Sequence, residues 1–372
     1  MNYMDPRAIK LAEIIANHSL KINEGDHVVL SISDLENPDL AKACYQIALE
    51  KGAEVYLDVM GINYEIGRAD HAGFADIFYS KASQKVLETV PAMLKAKIEW
   101  GNKFIRLTSI HNRRFLNSTS IEKVQKWSNT FYPTFEELIN KDWLLTYIPT
   151  IGTAQNAGMS LDQFTDFYYD SCIVDYKTMG LKQKKLQEIL DEGNRVHITG
   201  KGIDMTFGIN GRLASAYDHV GTRNIPDGEI WVGPEEDITE GYVEFEYPQV
   251  YDGNEVTGVK LEFEKGRVVK CSAENNQEFL YKTLESHIGN KCLGELGIGT
   301  NYNIQKYMKD ILFDEKIGGT IHMALGKAYD EERGGGKNKG TIHWDMIKDL
   351  RHEGSKIEVD GKLIEKDGKL LV

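Results

Sequence analysis

His27-Val-Val-Leu-Ser-Ile32 is followed by a helix-spaced run opening at Pro38, with Leu40, Ala43, Ala48 and Leu49, and then by Glu54-Val-Tyr-Leu-Asp-Val59. The outer segments are short and β-branched, of strand length. The middle one sets apolar residues three or four apart, on one face of a helix whose first turn tolerates proline. A strand, a covering helix and a second strand form one parallel unit. Upstream, Asp5 and Pro6 precede Ile9, Leu11, Ile14 and Ile15, which reads as a capped helix. Downstream, Phe104-Ile-Arg-Leu-Thr108 and Trp143-Leu-Leu-Thr-Tyr-Ile148 predict two more strands. Residues 160–193 read as helical, from Leu161, Phe164 and Phe167 through Leu181, Leu186, Ile189 and Leu190. The first half is therefore expected to be an α/β domain, a parallel sheet flanked by helices.

After Gly193 strands dominate: Val196-His-Ile-Thr199, Ile203-Asp-Met-Thr-Phe207, Tyr242-Val-Glu-Phe-Glu-Tyr247 and Val259-Lys-Leu-Glu-Phe263. The last alternates apolar and polar, as a half-exposed strand does. Lys356 to Ile364 reads as a hairpin about Asp360-Gly361. The expected division is an N-terminal α/β domain over residues 1–190 and a strand-rich α+β C-terminal domain over 191–372.

Bulk properties narrow the function. At 372 residues the chain is long for one core, and 41% hydrophobic with 27% charged residues is ordinary globular composition. A net charge of −13 predicts repulsion from nucleic acid and from anionic membranes. No apolar run is long enough for a bilayer span and no signal-peptide pattern opens the chain, so a cytoplasmic location is expected. The four cysteines (Cys44, Cys172, Cys271 and Cys292) form no CxxC pair and read as buried or idle thiols.

Ligand-type side chains gather late in the sequence, in Asn224-Ile-Pro-Asp-Gly-Glu229, Leu293-Gly-Glu295-Leu-Gly297, Thr320-Ile-His322-Met-Ala-Leu-Gly326 and Ile342-His343-Trp-Asp345-Met346. Two imidazoles and three carboxylates suit a pair of divalent cations sharing a carboxylate. In a strand His343 and Asp345 point to one face, and His322 shares its face with the small Thr320 and Ala324. Glu229 opens a strand after a Pro-Gly turn. Glu295 lies in an apolar, glycine-dense run, where an uncompensated charge is costly to bury. Arg333-Gly-Gly-Gly-Lys-Asn-Lys-Gly340 lacks the spacing of a phosphate-binding P-loop and reads as a flexible loop, substrate-side or plain linker.

In these segments, with Phe313-Asp-Glu315-Lys-Ile-Gly-Gly-Thr-Ile-His322 and Tyr329, the chain resembles the thermophilic-type metalloaminopeptidases, the family of aminopeptidases T and S and aminopeptidase II. The resemblance spans the whole length and departs most between Tyr329 and His343. It implies release of N-terminal residues from peptides by a water activated between two divalent metal ions. Zn, Co or Mn are the expected metals, with Mg compatible. It also implies peptide partners with a free N-terminus and a homodimer. By the same resemblance Glu229, Glu295, His322, His343 and Asp345 are metal ligands, Glu315 is the candidate general base and Tyr329 an active-site tyrosine. The expected arrangement has Glu295 bridging, His322 and His343 on one cation, and Glu229 and Asp345 on the other. The residues alone also admit another dinuclear amidohydrolase or an esterase. They admit a non-catalytic nucleotide- or peptide-binding protein too, although Ser31 to Pro38 lacks the GxGxxG of dinucleotide binders.

Overall fold

A computed structural model describes residues 4–59, 74–109, 119–330 and 332–372. The chain divides into two compact units, residues 1–173 with 221–226, and residues 174–220 with 227–372.

The first unit carries a five-stranded sheet ordered Glu54–Val59, His27–Ile32, Lys103–Thr108, Asp142–Tyr147 and Asn224–Ile225, parallel throughout. All four strands expected here are present. His27–Ile32 and Lys103–Thr108 are buried along most of their length, as strands flanked by two neighbours and covered by helices must be. Asp5 caps the first helix, Pro6–Ile14, through the Arg7 amide. Ser160 and Gln163 form a capping box that starts the helix Leu161–Cys172.

The division falls earlier than residue 190. The helix Tyr176–Glu192 belongs to the second unit, because its Leu186 and Leu190 enter that unit's apolar core. Helical periodicity shows that such a face is buried but not which core receives it. Residues 221–226 return to the first unit as its edge strand.

The second unit holds two larger sheets. One has eight strands, in the order Arg267–Ser272, Lys260–Glu264, Glu240–Glu244, Ile203–Gly208, Arg195–Gly200, Lys356–Val359, Lys362–Lys366 and Lys369–Leu370. Its strand Lys260–Glu264 alternates exposed and buried as expected. The hairpin turn uses Asp360 and Gly361 at φ of 49° and 82°, the left-handed pair that a two-residue turn requires. The strand expected to reach Tyr247 ends at Glu244, and the Tyr247 hydroxyl instead donates to Asp349. The other sheet has four antiparallel strands, ordered His343–Asp349, Thr320–Gly326, Leu293–Gly299 and Glu229–Val232. Both sheets send side chains into one core, among them Met205 and Phe207 from the first and Leu296, Met323 and Trp344 from the second. Among the described residues no helix is long and apolar enough to cross a membrane. Cys44, Cys172 and Cys292 are buried and form no disulfide, and Cys271 is partly buried.

Candidate metal centre

The four-stranded sheet separates two chemistries by alternation alone. One face carries Ile230, Leu296, Ile298, Ile321, Met323 and Trp344 into the core. Cross-strand register assigns the other face. Glu229 lies opposite Gly299, Gly297 opposite His322, Glu295 opposite Ala324, and Ala324 opposite Asp345. The five expected ligands therefore share the face turned from the core, one or two from each strand.

Small residues make room for them. A Cβ on Gly297 would come within 2.0 Å of the His322 ring, so that ring occupies the space above the glycine. Gly297→Ala is expected to push the imidazole aside and weaken metal binding about 10- to 100-fold, the usual cost of disturbing a ligand's support. Metal titration of chelator-stripped protein measures this, and wild-type affinity in the variant would show that the ring is not confined there.

The ligands meet at close range. His322 Nε2 lies 2.9 Å from Glu295 Oε1 and 3.2 Å from Glu229 Oε2. His343 Nε2 lies 3.5 Å from Asp345 Oδ1 and 3.7 Å from Glu295 Oε2. Each imidazole thus faces its own carboxylate, His322 with Glu229 and His343 with Asp345, and Glu295 reaches both. The Nδ1–H of His343 can donate to the Lys327 carbonyl at 2.7 Å, which leaves Nε2 for a metal.

Electrostatics also suit cations. Burial pushes the Glu295 carboxyl above its ordinary range, against the pull of His322. Burial acts likewise on Asp345, but the adjacent His343 and the charges of His322 and Lys316 outweigh it and hold this carboxyl low. Burial would lower His343, yet Asp345 and Glu295 overcome it and raise the imidazole to about 9. Burial opposes and Glu295 and Glu229 raise His322 in the same way. The donor set passes a direct test of fit. Glu229 Oε2, Glu295 Oε2 and Asp345 Oδ1 are buried without a hydrogen-bond partner, a costly state for oxygens that a cation would satisfy. Ligand atoms of Glu229, Glu295 and His322 lie within 4.8 Å of one another, and so do those of Glu315, His322 and Asp345. Glu315 therefore stands within ligand range as well.

Glu315 ends the short helix Ile311–Asp314, which Asp310 caps, and Asp314 fixes the turn by accepting from the amides of Met308 and Asp310. Tyr329 follows the His322 strand. Its ring centroid is 4.8 Å from that of His343 and 6.4 Å from that of Trp231. Sequence reasoning missed two residues here. Trp231 was predictable in principle, since it shares a face with Glu229 two residues before it. Lys316 follows Glu315 in the chain and lies fully buried beside Glu229 and Glu315.

The glycine-rich run 333–340 is tied down rather than loose. Arg333 binds Asp191 at 2.9 Å and the Ala214 carbonyl at 3.0 Å. The Lys337 amide donates to Glu236, and the buried Asn338 amide donates to the carbonyls of Gly289 and Gly326. A Cβ on Gly334 would strike the Trp231 indole at 2.3 Å, so close packing explains a glycine that composition reads as flexibility. Of the segment where the chain departs from the family pattern, residue 331 lies outside the described residues.

Residues 4–370 match the thermophilic metalloprotease family (M29). The chain belongs to this family. This metalloprotease is 24% identical to aminopeptidase T of Thermus aquaticus, across 95% of its own length and 94% of that protein. It is 22% identical to aminopeptidase PepS of Streptococcus thermophilus, across 94% and 95%. It is 30% identical to aminopeptidase 2 of Geobacillus stearothermophilus over about half of each chain (53% and 49%). Wild-type AmpT from Thermus thermophilus shares the fold, with a TM-score of 0.81 at 20% identity over 98% of this chain and 99% of that one. Family membership and the acid–histidine cluster together support a metal-dependent aminopeptidase mechanism at a dinuclear centre.

Proposed function

We propose that this metalloprotease releases N-terminal residues from peptides, with Glu229, Glu295, His322, His343 and Asp345 holding two divalent cations. The observation that carries this reading is the split of Glu295, with Oε1 toward His322 and Oε2 toward His343, as a bridging carboxylate requires. Glu229 and His322 then serve one cation and Asp345 and His343 the other. Such a pair of cations supplies a water of lowered pKa and polarises the scissile carbonyl. Glu315 would act as the general base, accepting a proton from the attacking water and returning it to the leaving amine. Tyr329 donates to the developing oxyanion. The surplus of carboxylates suits a free α-amine, which makes the enzyme an exopeptidase. Mixed carboxylate and imidazole donors fit Zn, Co or Mn, and tolerate Mg. A homodimer and a cytoplasmic location complete the proposal.

The test is hydrolysis of a leucyl chromogenic amide by protein stripped with chelator and then given Zn, Co, Mn or Mg separately. Cleavage restored by metal, and lost when the substrate is N-acetylated, is expected. Cleavage of the acetylated substrate alone would assign another amidohydrolase. Stoichiometric metal binding without cleavage of either substrate would leave a binding role. Tyr329→Phe is expected to lower kcat about 10²- to 10³-fold with little change in KM. An unchanged kcat would remove Tyr329 from the mechanism.

A further inference from the structure

We infer that Lys316 is a resident cation of the centre, a positioning residue whose ammonium clamps Glu229 and Glu315 and fixes which oxygen of Glu229 faces the metal position. The inference deepens the two-cation reading and rests on it.

Lys316 is among the largest fully buried side chains, with no exposed surface. A buried ammonium is tolerated only when paired, and here both of its carboxylate partners belong to the centre. Nζ lies 3.0 Å from Glu229 Oε1 and bonds to Glu315. With Oε1 engaged, Glu229 presents Oε2, which lies 3.2 Å from His322 Nε2, buried and without a hydrogen-bond partner. One side chain therefore orients a candidate ligand and the candidate base together. The chain enforces this placement. The Lys316 carbonyl accepts from the Asn301 amide, its own amide donates to the Phe313 carbonyl, and the backbone of Lys316 and Ile317 presses against Gly299 at the end of the Glu295 strand.

The ammonium also has a sign. Glu229, Glu295, Glu315 and Asp345 crowd one pocket of charge, and in the metal-free protein Lys316 offsets part of it. Divalent cations do the same work when bound, and the ammonium repels them. A lysine that merely filled space would affect stripped and loaded protein alike. A resident cation matters more when the metals are gone.

The test compares thermal unfolding of stripped protein with protein given Co(II), for wild type and for Lys316→Met, which keeps the length and loses the charge. The gap between stripped and loaded Tm is expected to widen by about 5–10 °C in the variant. The visible Co(II) spectrum should change, because Glu229 is freed to rotate. A variant that folds only with Co(II) is the extreme form of this result. An unchanged or narrower gap with a wild-type spectrum would overturn the inference. If Lys316→Met folds under neither condition, Lys316→Arg keeps the charge. It should show a gap of wild-type size, and a widened gap would overturn the inference. Wild-type protein that Co(II) does not stabilise would instead sink the two-cation reading itself, and this inference with it.

Discussion

Glu295→Gln is expected to reduce kcat/KM by roughly 10²- to 10⁴-fold and to cost at least one bound cation. The residue is 4% exposed and reaches both imidazoles, with Oε1 2.9 Å from His322 and Oε2 3.7 Å from His343. An amide keeps the shape but offers one neutral oxygen and a donor that faces the same imidazoles. Removing one group that stabilises charge at the reacting centre costs about 10²- to 10³-fold in rate, each 1.4 kcal/mol in the barrier being tenfold, and losing a cation adds to this. Metal content by elemental analysis and kinetics on a leucyl amide measure both effects. A folded variant that carries two cations and keeps substantial activity would contradict the bridging role.

Glu315→Gln is expected to lower kcat about 10²- to 10⁴-fold, the range of general acid–base catalysis, while two cations stay bound and KM changes little. The residue is within ligand range of His322 and Asp345, so the metal count is the deciding readout. Two cations with slow turnover identify a base. Loss of one cation would make Glu315 a ligand and leave the base unassigned. Near-normal kcat would exclude both roles. The two substitutions are thus distinguishable by metal content, although both slow the reaction.

The site was legible in part because strand alternation is a local property. His343 and Asp345 stand two apart, and Thr320, His322 and Ala324 likewise, so each pair or trio had to share a face wherever its strand went. Glycine offered a second signal. The sequence places Gly297 beside Glu295, and the structure shows the His322 ring filling the space a Cβ would take there. In the run 333–340, which composition reads as flexible, glycines pack closely against Trp231 and Gly233.

The sequence by itself determined the alternation of helix and strand in the first half, the strand-rich second half, and which side chains could ligate a metal. These follow from periodicity and donor chemistry, which neighbouring residues express directly. Only the tertiary structure decided that the helix Tyr176–Glu192 packs in the second unit, that His322 pairs with Glu229 and His343 with Asp345, and that Lys316 is buried between two carboxylates. Those outcomes depend on which strands lie side by side and in what register. Register is set by burying one apolar face against a distant part of the chain, and no local pattern carries that information.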